Sequence, residues 1–167
     1  MTVFLNESTR LPRPVVAAAI VNSLHCPTHL LCAARSYPQH LRGLYELPGG
    51  KIEENESPLQ ALAREIREEL GWELTYGKEI CDSSGAWWPI GPQRHMGVWL
   101  SEYASPDLSE RPAKEFISLP QLPTLTQAHV DIRWQPLHTV ETLPWIPANL
   151  TIVREITRVC EQIRAQR

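Results

Sequence analysis

Two short apolar runs near the start of the chain predict buried strands. The run from Val15 to Val21 has β-branched residues at both ends and is bounded by Pro14 and Asn22, a pattern typical of a strand with both faces buried. The segment from His29 to Arg35 is apolar in its middle and follows a turn at residues 26 to 28. We therefore expect the two strands to form a hairpin.

The most clearly delimited element is a helix predicted over residues 58 to 70. Ser57 supplies an N-cap, Pro58 suits the first helical position and Gln60 completes a capping box. Gly71 ends the helix. Apolar residues recur along it at spacings of three and four, which predicts one stripe packed on a sheet: Leu59, Leu62, Ala63, Ile66 and Leu70.

The rest of the chain predicts further strands and one more helix. The strand candidates are Leu44 to Leu47, Trp72 to Asp82, Arg94 to Tyr103 and Ile132 to Trp134, and the 15 prolines predict long loops between them. The segment Leu150 to Ala165 carries one apolar stripe and predicts a helix. Strands flanked by helices, without regular βαβ alternation, indicate an α+β fold, an α/β/α sandwich with a mixed sheet, rather than a Rossmann domain.

Length and composition limit the class of protein. The 167 residues fit a single domain over residues 1 to 167, with residues 1 to 13 as a loose terminus. The formal net charge of -3 argues against stable nucleic-acid binding. The longest apolar run is too short for a membrane span or a signal peptide, and the four scattered cysteines indicate neither a disulfide framework nor zinc. We expect a cytoplasmic protein without membrane contact, either a monomer or a homodimer.

Three glutamates of the predicted helix stand at positions i, i+3 and i+4: Glu65, Glu68 and Glu69. Their charges repel one another and oppose the helix dipole, at roughly 0.3–1 kcal/mol for each anion in the last turn. One interpretation is a solvated acidic face on which Arg64 pairs with Glu68. The other is a site for a hard divalent cation, because magnesium prefers oxygen ligands.

The stretch around these glutamates, from Gly50 to Trp72, resembles the Nudix box, G-x5-E-x7-R-E-U-x-E-E-x-G-U, in which U is a bulky apolar residue. Every fixed position of the box agrees: Gly50, Glu56, Arg64, Glu65, Glu68, Glu69 and Gly71, with Ile66 and Trp72 as the apolar residues. The resemblance implies the Nudix fold, in which a mixed sheet is flanked by helices, with a catalytic loop-helix-loop at residues 48 to 72.

The resemblance also implies a role for each of these residues. The metal ligands, for magnesium or manganese, are the backbone carbonyl of Gly49 and the carboxylates of Glu65, Glu68 and Glu69. These three glutamates and Arg64 form the implied catalytic set. The residues implied to hold the geometry of the loop and the helix are Glu56 and Arg64, with Gly50 and Gly71 as structural glycines.

Within the family, the chain resembles the MutT-like pyrophosphohydrolases over most of residues 14 to 160. The segment from Leu44 to Gly50 is similar to the one that contacts the base through backbone atoms near the position of Leu47. Arg35 and Arg94 are similar to the arginines placed around the nucleotide, although each is also a plausible surface arginine. These resemblances imply that Arg35, Leu47 and Arg94 bind the substrate.

Asn149 is the fourth residue implied to bind substrate. The segment from Trp145 to Asn149 is similar to the Pro-Ala-Asn segment whose asparagine reads oxidised guanine in MutT-like enzymes, whereas relatives favouring cytosine nucleotides tend to have aspartate there. An amide offers both a donor and an acceptor, which suits the edge of an oxopurine. Asn149 also precedes the predicted last helix, so the alternative is that it is the N-cap of that helix.

One position departs from the MutT-like pattern. The family places a further glutamate, a metal ligand and proposed base, six residues before the tryptophan that matches Trp134, and this chain has Ala128 there. The alternatives for the base are Glu68 and, after a loop shift, Asp131. Residues 85 to 92 have no obvious counterpart in the family, and Trp87 and Trp88 within them would either stack a base or pack in the protein.

The function implied is magnesium-dependent hydrolysis of a nucleoside triphosphate to the monophosphate and pyrophosphate, with an oxidised guanine nucleotide such as 8-oxo-dGTP as substrate. The alternative within the family is another substrate, such as CTP or a methylated cytosine nucleotide, ADP-ribose, a dinucleoside polyphosphate or capped RNA. A third reading, from a different class, is a non-catalytic module that senses a nucleotide and regulates a partner. The complete set of box carboxylates argues against this reading, and Ala128 keeps it open.

Overall fold

The structure, a computed structural model, describes residues 11–106 and 119–167. Residues 1–10 of the expected loose terminus lie outside this range, and residues 11–13 form neither helix nor strand. The strands are β1 Val15–Val21, β2 His29–Arg35, β3 Tyr45–Glu46, β4 Gly49–Lys51, β5 Leu74–Glu79, β6 Trp88–Gly91, β7 Arg94–Tyr103 and β8 His129–Pro136. The helices are α1 Pro58–Leu70 and α2 Pro147–Ala165, with short 3-10 helices at Gln39–Leu41 and Leu137–Thr142.

The eight described strands form one mixed sheet. Its main path runs β3-β2-β1-β7-β5, while β4 pairs with β1, β6 with β7 and β8 with β2. Strands β1 and β7 run parallel, from Val15 opposite Met96 to Val21 opposite Glu102. The other pairs are antiparallel, including β1 with β2, which confirms the predicted hairpin.

The core lies on both faces of this sheet, because residues alternate in direction along each strand. In β1, Ala17, Ala19 and Val21 pack into a cluster with α2, on what we call the α2 face. Val16 and Ile20 pack into a second cluster with α1, on the α1 face. A helix on each face confirms the predicted α+β sandwich.

The sequence located several elements with their bounds and misplaced others. The two strands of the hairpin, Arg94 to Tyr103 and the helix over 58 to 70 are confirmed as predicted. The strand predicted over Trp72 to Asp82 is shorter, and the one predicted over Ile132 to Trp134 is longer. Strands β4 and β6 fall in stretches where no strand was expected, because each is short and contains glycine or proline, which β propensity disfavours.

The caps of α1 form as the sequence predicts. Ser57 accepts a hydrogen bond from the backbone N–H of Gln60, whose side chain accepts one from Ser57 in return, and Gly71 ends the helix in the left-handed conformation. The predicted stripe is wrong at one end, since Leu59 is 39% exposed whereas Ala61 is fully buried. The buried side at the start of the helix is therefore rotated away from Leu59.

The last helix begins three residues earlier than predicted. Pro147 occupies the first turn, where its missing N–H costs nothing, and Ile146 is the N-cap. Asn149 therefore lies inside the first turn, and the interpretation of Asn149 as the N-cap is wrong. In the described residues, neither helix is long and apolar enough to cross a bilayer.

Candidate active site

The turn between β3 and β4 brings Gly49 against the backbone of β1. Gly49 pairs with Ala17, and a Cβ added to Gly49 would lie 2.0 Å from the carbonyl oxygen of Val16. The carbonyl of Pro48 accepts a hydrogen bond from the N–H of Ala18 at 2.9 Å. Only glycine fits at position 49 without displacing the central strand, so the loop is held rigidly on the sheet.

Gly50, the next residue, packs against α1. A Cβ at position 50 would lie 2.2 Å from the carboxyl carbon of Glu65. The Glu65 carboxylate therefore occupies the space that any other side chain at position 50 would fill. Gly50 and Glu65 are therefore complementary in shape.

Arg64 joins the loop before α1 to the helix itself. Its guanidinium donates to both carboxylate oxygens of Glu56, at 2.7 and 3.0 Å, to the carbonyl of Lys51 at 3.1 Å and to Glu65 at 2.9 Å. The hydrogen bonds from Arg64 lower the pKa of Glu56 to about 2. By contrast, Arg64 lies 3.6 Å from Glu68, so the solvated i,i+4 pair is the weakest of its contacts.

Glu69 is the most strongly perturbed acid of the site. Burial, followed by the charges of Glu46 and Glu65, raises its pKa to about 8, although the backbone N–H of Gly49 and the charge of Arg35 oppose this rise. One of its carboxylate oxygens, Oε2, is buried without a hydrogen-bond partner. Glu69 is thus a largely enclosed acid on which nearby negative charge and burial outweigh the positive charge of Arg35.

The three box carboxylates face different environments. The side chain of Glu65 is 17% exposed, that of Glu68 is 60% exposed, and Glu69 is half-buried. Within the described ranges, no three His, Cys, Asp or Glu side chains are already gathered closely enough to enclose a metal ion. This donor set, with its partnerless oxygen on Glu69, fits a cation that keeps part of its water shell, as magnesium does.

Glu46 belongs to this acidic site and was not among the residues inferred from the sequence. It pairs with Ala33 of β2, whose side chain lies on the α1 face, so Glu46 points toward α1 while Tyr45 and Leu47 join the opposite core. Alternation of apolar and polar residues over Tyr45-Glu46-Leu47 was the available signal. The site therefore contains four glutamates.

Arg35 lies at the edge of the same site. Its Nη1 is 3.3 Å from Oε2 of Glu46, and its Nε donates to the carbonyl of Tyr37 at 2.9 Å. Its side chain is 34% exposed. A guanidinium at this place reaches both the carboxylates and the solvent.

Leu47 and Asn149 are brought together on the other side of the loop. The backbone N–H of Leu47 donates to Oδ1 of Asn149 at 3.1 Å, and both residues are buried. This bond engages one lone pair of Oδ1 and holds the amide in place, and the two N–H groups of the amide remain as donors. A hydrogen bond thus joins Leu47 and Asn149, the two residues that the sequence implies to contact the nucleobase.

Arg94 stands apart from both groups. It begins β7, and strand alternation places it with Met96 and Val98 on the α2 face. Its Nε is buried without a hydrogen-bond partner. Among the described residues it makes no hydrogen bond or ion pair with Arg35, the carboxylates or Asn149.

The segment that carries Ala128 runs beside the end of α1. The hydroxyl of Thr126 donates to the backbone carbonyl of Glu69 at 3.3 Å, and the carbonyl of Ala128 accepts from the N–H of Ser36 at 3.0 Å. Position 128 is therefore close to the carboxylates, but it contributes no functional side chain.

Asp131 does not reach the carboxylates. It pairs with Ala34, on the α2 face, and its Oδ2 accepts from the hydroxyl of Tyr45 at 2.5 Å and from Nε of Arg133 at 2.7 Å. Burial alone would raise the pKa of Asp131, but these two hydrogen bonds hold it below its usual value. The structure does not favour Asp131 as the replacement base.

Trp87 and Trp88 are engaged in packing. Trp88 is 8% exposed and its indole N–H donates to the carbonyl of Ile80 at 2.8 Å. The indole N–H of Trp87 donates to Glu79 at 2.6 Å, and its ring lies edge-on to Trp99 with 5.9 Å between centroids. Of the two readings of this pair, the structure supports packing.

With this geometry in place, comparison with known families decides the identity of the fold. The NUDIX domain profile matches residues 11–155. The chain belongs to the NUDIX family. The match confirms the resemblance inferred from the box and covers the whole described sheet together with the first nine residues of α2.

Named NUDIX relatives are similar to parts of this chain. The 8-oxo-dGTP diphosphatase of Proteus vulgaris is 42% identical over 60 residues, which are 36% of this chain and 52% of that protein. The CTP pyrophosphohydrolase of Escherichia coli (strain K12) is 49% identical over 51 residues, which are 30% of this chain and 38% of that protein. The matched segments span about half or less of these relatives.

A solved NUDIX-like neighbour covers far more of the chain. The solution structure of the ORF135 protein of Escherichia coli is 26% identical, with a TM-score of 0.61, and the alignment covers 93% of this chain and 92% of that chain. The fold described above is therefore shared along nearly the whole length.

Proposed function

We propose that this NUDIX chain hydrolyses a nucleoside triphosphate to the monophosphate and pyrophosphate. The proposed metal ligands, for magnesium or manganese, are the carboxylates of Glu65, Glu68 and Glu69 and the carbonyl of Gly49. The single observation that carries the proposal is Glu69, a buried acid beside two further glutamates with one oxygen lacking a partner. A divalent cation supplies the charge that this arrangement lacks.

When bound, such a cation neutralises charge on the diphosphate and acidifies the attacking water. The chain's own residues prepare the positions at which this happens. Arg64 fixes the carboxylate of Glu65 from one side, and Gly50 leaves the space that this carboxylate occupies. Their shared work is positioning, which phosphoryl transfer requires above all.

Arg35 is proposed to bind the nucleotide with its guanidinium. It is a partly exposed cation at the rim of the acidic site, and it is held at one side by the carbonyl of Tyr37. A planar guanidinium suits phosphate oxygens and other paired acceptors. Arg94 is proposed as the second substrate arginine, since its buried Nε has no protein acceptor among the described residues.

Asn149 is proposed to favour an oxidised guanine base, with 8-oxo-dGTP as the preferred substrate. Its Oδ1 is held by the N–H of Leu47, which leaves two N–H donors for the ligand. Oxo groups of a purine accept such donors, whereas the exocyclic amine of cytosine requires an acceptor. The local similarity to an 8-oxo-dGTP diphosphatase supports the same choice.

CTP is the second candidate substrate, and a separate observation favours it. The local identity with a CTP pyrophosphohydrolase is 49%, which is higher than with the 8-oxo-dGTP enzyme, although it covers a shorter segment. For this candidate, the exocyclic amine of cytosine would have to share Oδ1 of Asn149 with the N–H of Leu47 or donate to another acceptor.

A nucleotide panel tests the proposal. We expect the triphosphates to give pyrophosphate and the monophosphate, with a higher kcat/KM for 8-oxo-dGTP than for dGTP, CTP or 5-methyl-dCTP. ADP-ribose and a dinucleoside tetraphosphate release no pyrophosphate, so their turnover is measured as nucleotide product and should also have a lower kcat/KM than 8-oxo-dGTP. Release should require magnesium or manganese. Release of inorganic phosphate instead of pyrophosphate, or a clear preference for CTP, would contradict the proposed reaction or substrate. No product from any compound would favour a nucleotide sensor.

The reducing cytoplasm is the proposed compartment. All four cysteines are free thiols in the structure, and two of them, Cys32 and Cys160, are buried. Free thiols persist where glutathione and thioredoxin keep them reduced.

A further inference from the structure

His129, at the start of β8, is a buried histidine whose ring makes no hydrogen bond. Its side chain is 1% exposed, and neither Nδ1 nor Nε2 has a partner. Buried polar groups are nearly always paired, so an imidazole in this state indicates a contact that forms only under particular conditions. Oε1 of Glu46 lies 3.8 Å from Nε2, which is too distant for a hydrogen bond.

A β-bulge determines the face of the sheet on which the side chain of His129 lies. Along the β2–β8 pair, Asp131 lies opposite Ala34, but the next residue of β2, Arg35, lies opposite His129. Val130 is therefore an extra residue on β8 and resets the alternation of side chains beyond it. The bulge turns His129 to the same side of the sheet as Arg35 and Glu46, where α1 carries the acidic site.

Glu46 lies between two donors of hydrogen bonds. Its Oε2 faces Nη1 of Arg35 at 3.3 Å, and its Oε1 faces Nε2 of His129. The two donors approach different oxygens of one carboxylate. Arg35 is 34% exposed and able to turn outward, whereas His129 is enclosed and fixed.

We propose that His129 is a positioning residue. It forms a hydrogen bond with Glu46 when Arg35 turns away from Glu46 and binds the nucleotide. The neutral ring donates its Nε2–H to Oε1 of Glu46, and no proton is transferred. A movement of roughly 0.9 Å brings the two atoms to the usual ~2.9 Å of such a bond. This inference rests on the proposed nucleotide binding by Arg35.

The exchange of partners has a physical reason. A partly buried carboxylate that loses the guanidinium paired with it is less well compensated, so Glu46 would oppose the turn of Arg35 to the substrate. A second donor already aimed at the other oxygen of Glu46 reduces that penalty.

Steady-state kinetics of three variants test the exchange. His129→Leu should raise KM for the nucleotide by about tenfold with kcat changed by less than about threefold, because the lost bond assists binding. His129→Gln, whose amide donates from a similar place, should restore most of the affinity. In a Glu46→Ala background, which has no acceptor at position 46, His129→Leu should add nothing further, since the two changes remove one interaction.

A matched control keeps loss of folding apart from loss of positioning. His138→Leu removes an exposed histidine from the 3-10 helix at Leu137–Thr142 and should leave KM unchanged. Thermal unfolding of every variant is measured alongside. Equal KM values for His129→Leu and the wild type, or an additive effect of His129→Leu in the Glu46→Ala background, would overturn the proposal.

Nitrogen-15 NMR of the imidazole gives a readout that does not need turnover. Saturating α,β-methylene-dGTP with magnesium should move the His129 Nε2–H resonance downfield in the wild type and leave it in place in Glu46→Ala. This shift supports the partner exchange even if no pyrophosphate is released from any nucleotide, in which case only the proposed reaction fails. An unmoved resonance with the probe bound would overturn the exchange while leaving the reaction intact.

Discussion

The carboxylate of Glu65 lies directly against the α-carbon of Gly50, in the space that a side chain at position 50 would occupy. Gly50 lies in β4 and Glu65 projects from α1, so this contact fixes the distance between β4 and the helix. Arg64 holds the same carboxylate from the other side at 2.9 Å. The position of Glu65 is thus set by close packing as well as by charge.

Gly50→Ala should therefore damage catalysis more than stability. The added Cβ would meet the carboxyl group at 2.2 Å and push it aside. Misplacement of a reacting group by about 1 Å costs about 100-fold in rate, and we expect kcat to fall by about that factor. The end of a glutamate side chain moves easily, so the melting temperature should change by less than about 3 °C.

Gly85→Ala is the matched control for this variant. Gly85 has a φ of +81° with nothing near its Cβ position, in the turn between β5 and β6. The Gly85→Ala variant should lose about 1 kcal/mol of stability through backbone strain and keep the kcat of the wild type. Equal losses of kcat in the two alanine variants would show that backbone strain, and not the contact with Glu65, limits position 50.

Asn149→Ala should weaken both stability and base selectivity. The N–H of Leu47 would remain buried without its acceptor, at a cost of about 1–3 kcal/mol. The two amide donors would also be lost, so kcat/KM for 8-oxo-dGTP should fall at least about tenfold more than kcat/KM for CTP. Pyrophosphate release and thermal unfolding measure the two effects.

Asn149→Asp separates these two effects. The carboxylate still accepts from the N–H of Leu47, so the melting temperature should stay close to that of the wild type. It offers no N–H donor, so selectivity should move toward CTP. If Asn149→Asp kept the full preference for 8-oxo-dGTP, Asn149 would serve only as the acceptor for Leu47.

The local chemistry of the site was predictable from sequence because it is carried by neighbours in one helix and one loop. The caps at Ser57 and Gly71 fixed the register of α1, and that register placed Glu65, Glu68 and Glu69 within one turn. The partners of Arg64 likewise lie within 13 residues of it. Short sequence separations leave few alternatives for such contacts.

The ionisation of Glu69 predicts a stability that depends on pH when metal is removed. Burial, Glu46 and Glu65 raise its pKa from 4.5 to about 8, so the folded chain favours the neutral acid. This contribution is fully present below pH 4.5 and is lost as the pH rises through about 8. In EDTA, Glu69→Gln should therefore melt higher than the wild type at pH 9, by about 5 °C, and equally at pH 4.

Magnesium should reverse this order. A cation stabilises the charged carboxylate, so the affinity for magnesium should rise between pH 6 and about 9 in the wild type but stay flat in Glu69→Gln. Thermal unfolding titrated with magnesium at several pH values gives both quantities. A wild-type melting temperature in EDTA that tracks Glu69→Gln at every pH would show that Glu69 ionises normally.

Arg64→Lys tests the hydrogen bonds by which Arg64 joins the loop before α1 to the helix. A lysine ammonium cannot hold both oxygens of Glu56 together with the carbonyl of Lys51 and the carboxylate of Glu65. We expect kcat to fall by about 10–100-fold with a smaller change in KM, because the misplacement affects the reacting groups.

Arg67→Lys, on the same helix, is the control. Arg67 pairs with Glu73 at 2.7 Å, but both side chains are about 60% exposed, so this pair contributes little. The activity and melting temperature of the Arg67→Lys variant should match those of the wild type. A comparable loss of kcat in both lysine variants would point to helix stability as the cause.

The parts that sequence did not predict depend on distant segments. The role of Glu46 depends on β3 pairing with β2 so that this side chain faces α1. His129 faces the same side only because Val130 bulges from β8, and no local pattern marks a bulge there. The early start of α2 places Asn149 against Leu47. These two residues lie 102 positions apart in the sequence.

The most direct test of the metal-dependent reaction is pyrophosphate release from 8-oxo-dGTP by Glu68→Gln at saturating magnesium. Glu73→Gln, which neutralises another exposed glutamate just beyond α1, is measured in parallel. We predict a loss of about 100-fold or more in kcat for Glu68→Gln, as for the removal of other groups that stabilise a transition state, with Glu73→Gln unaffected. Unchanged turnover of Glu68→Gln would contradict the assignment of the α1 carboxylates as the centre of the reaction.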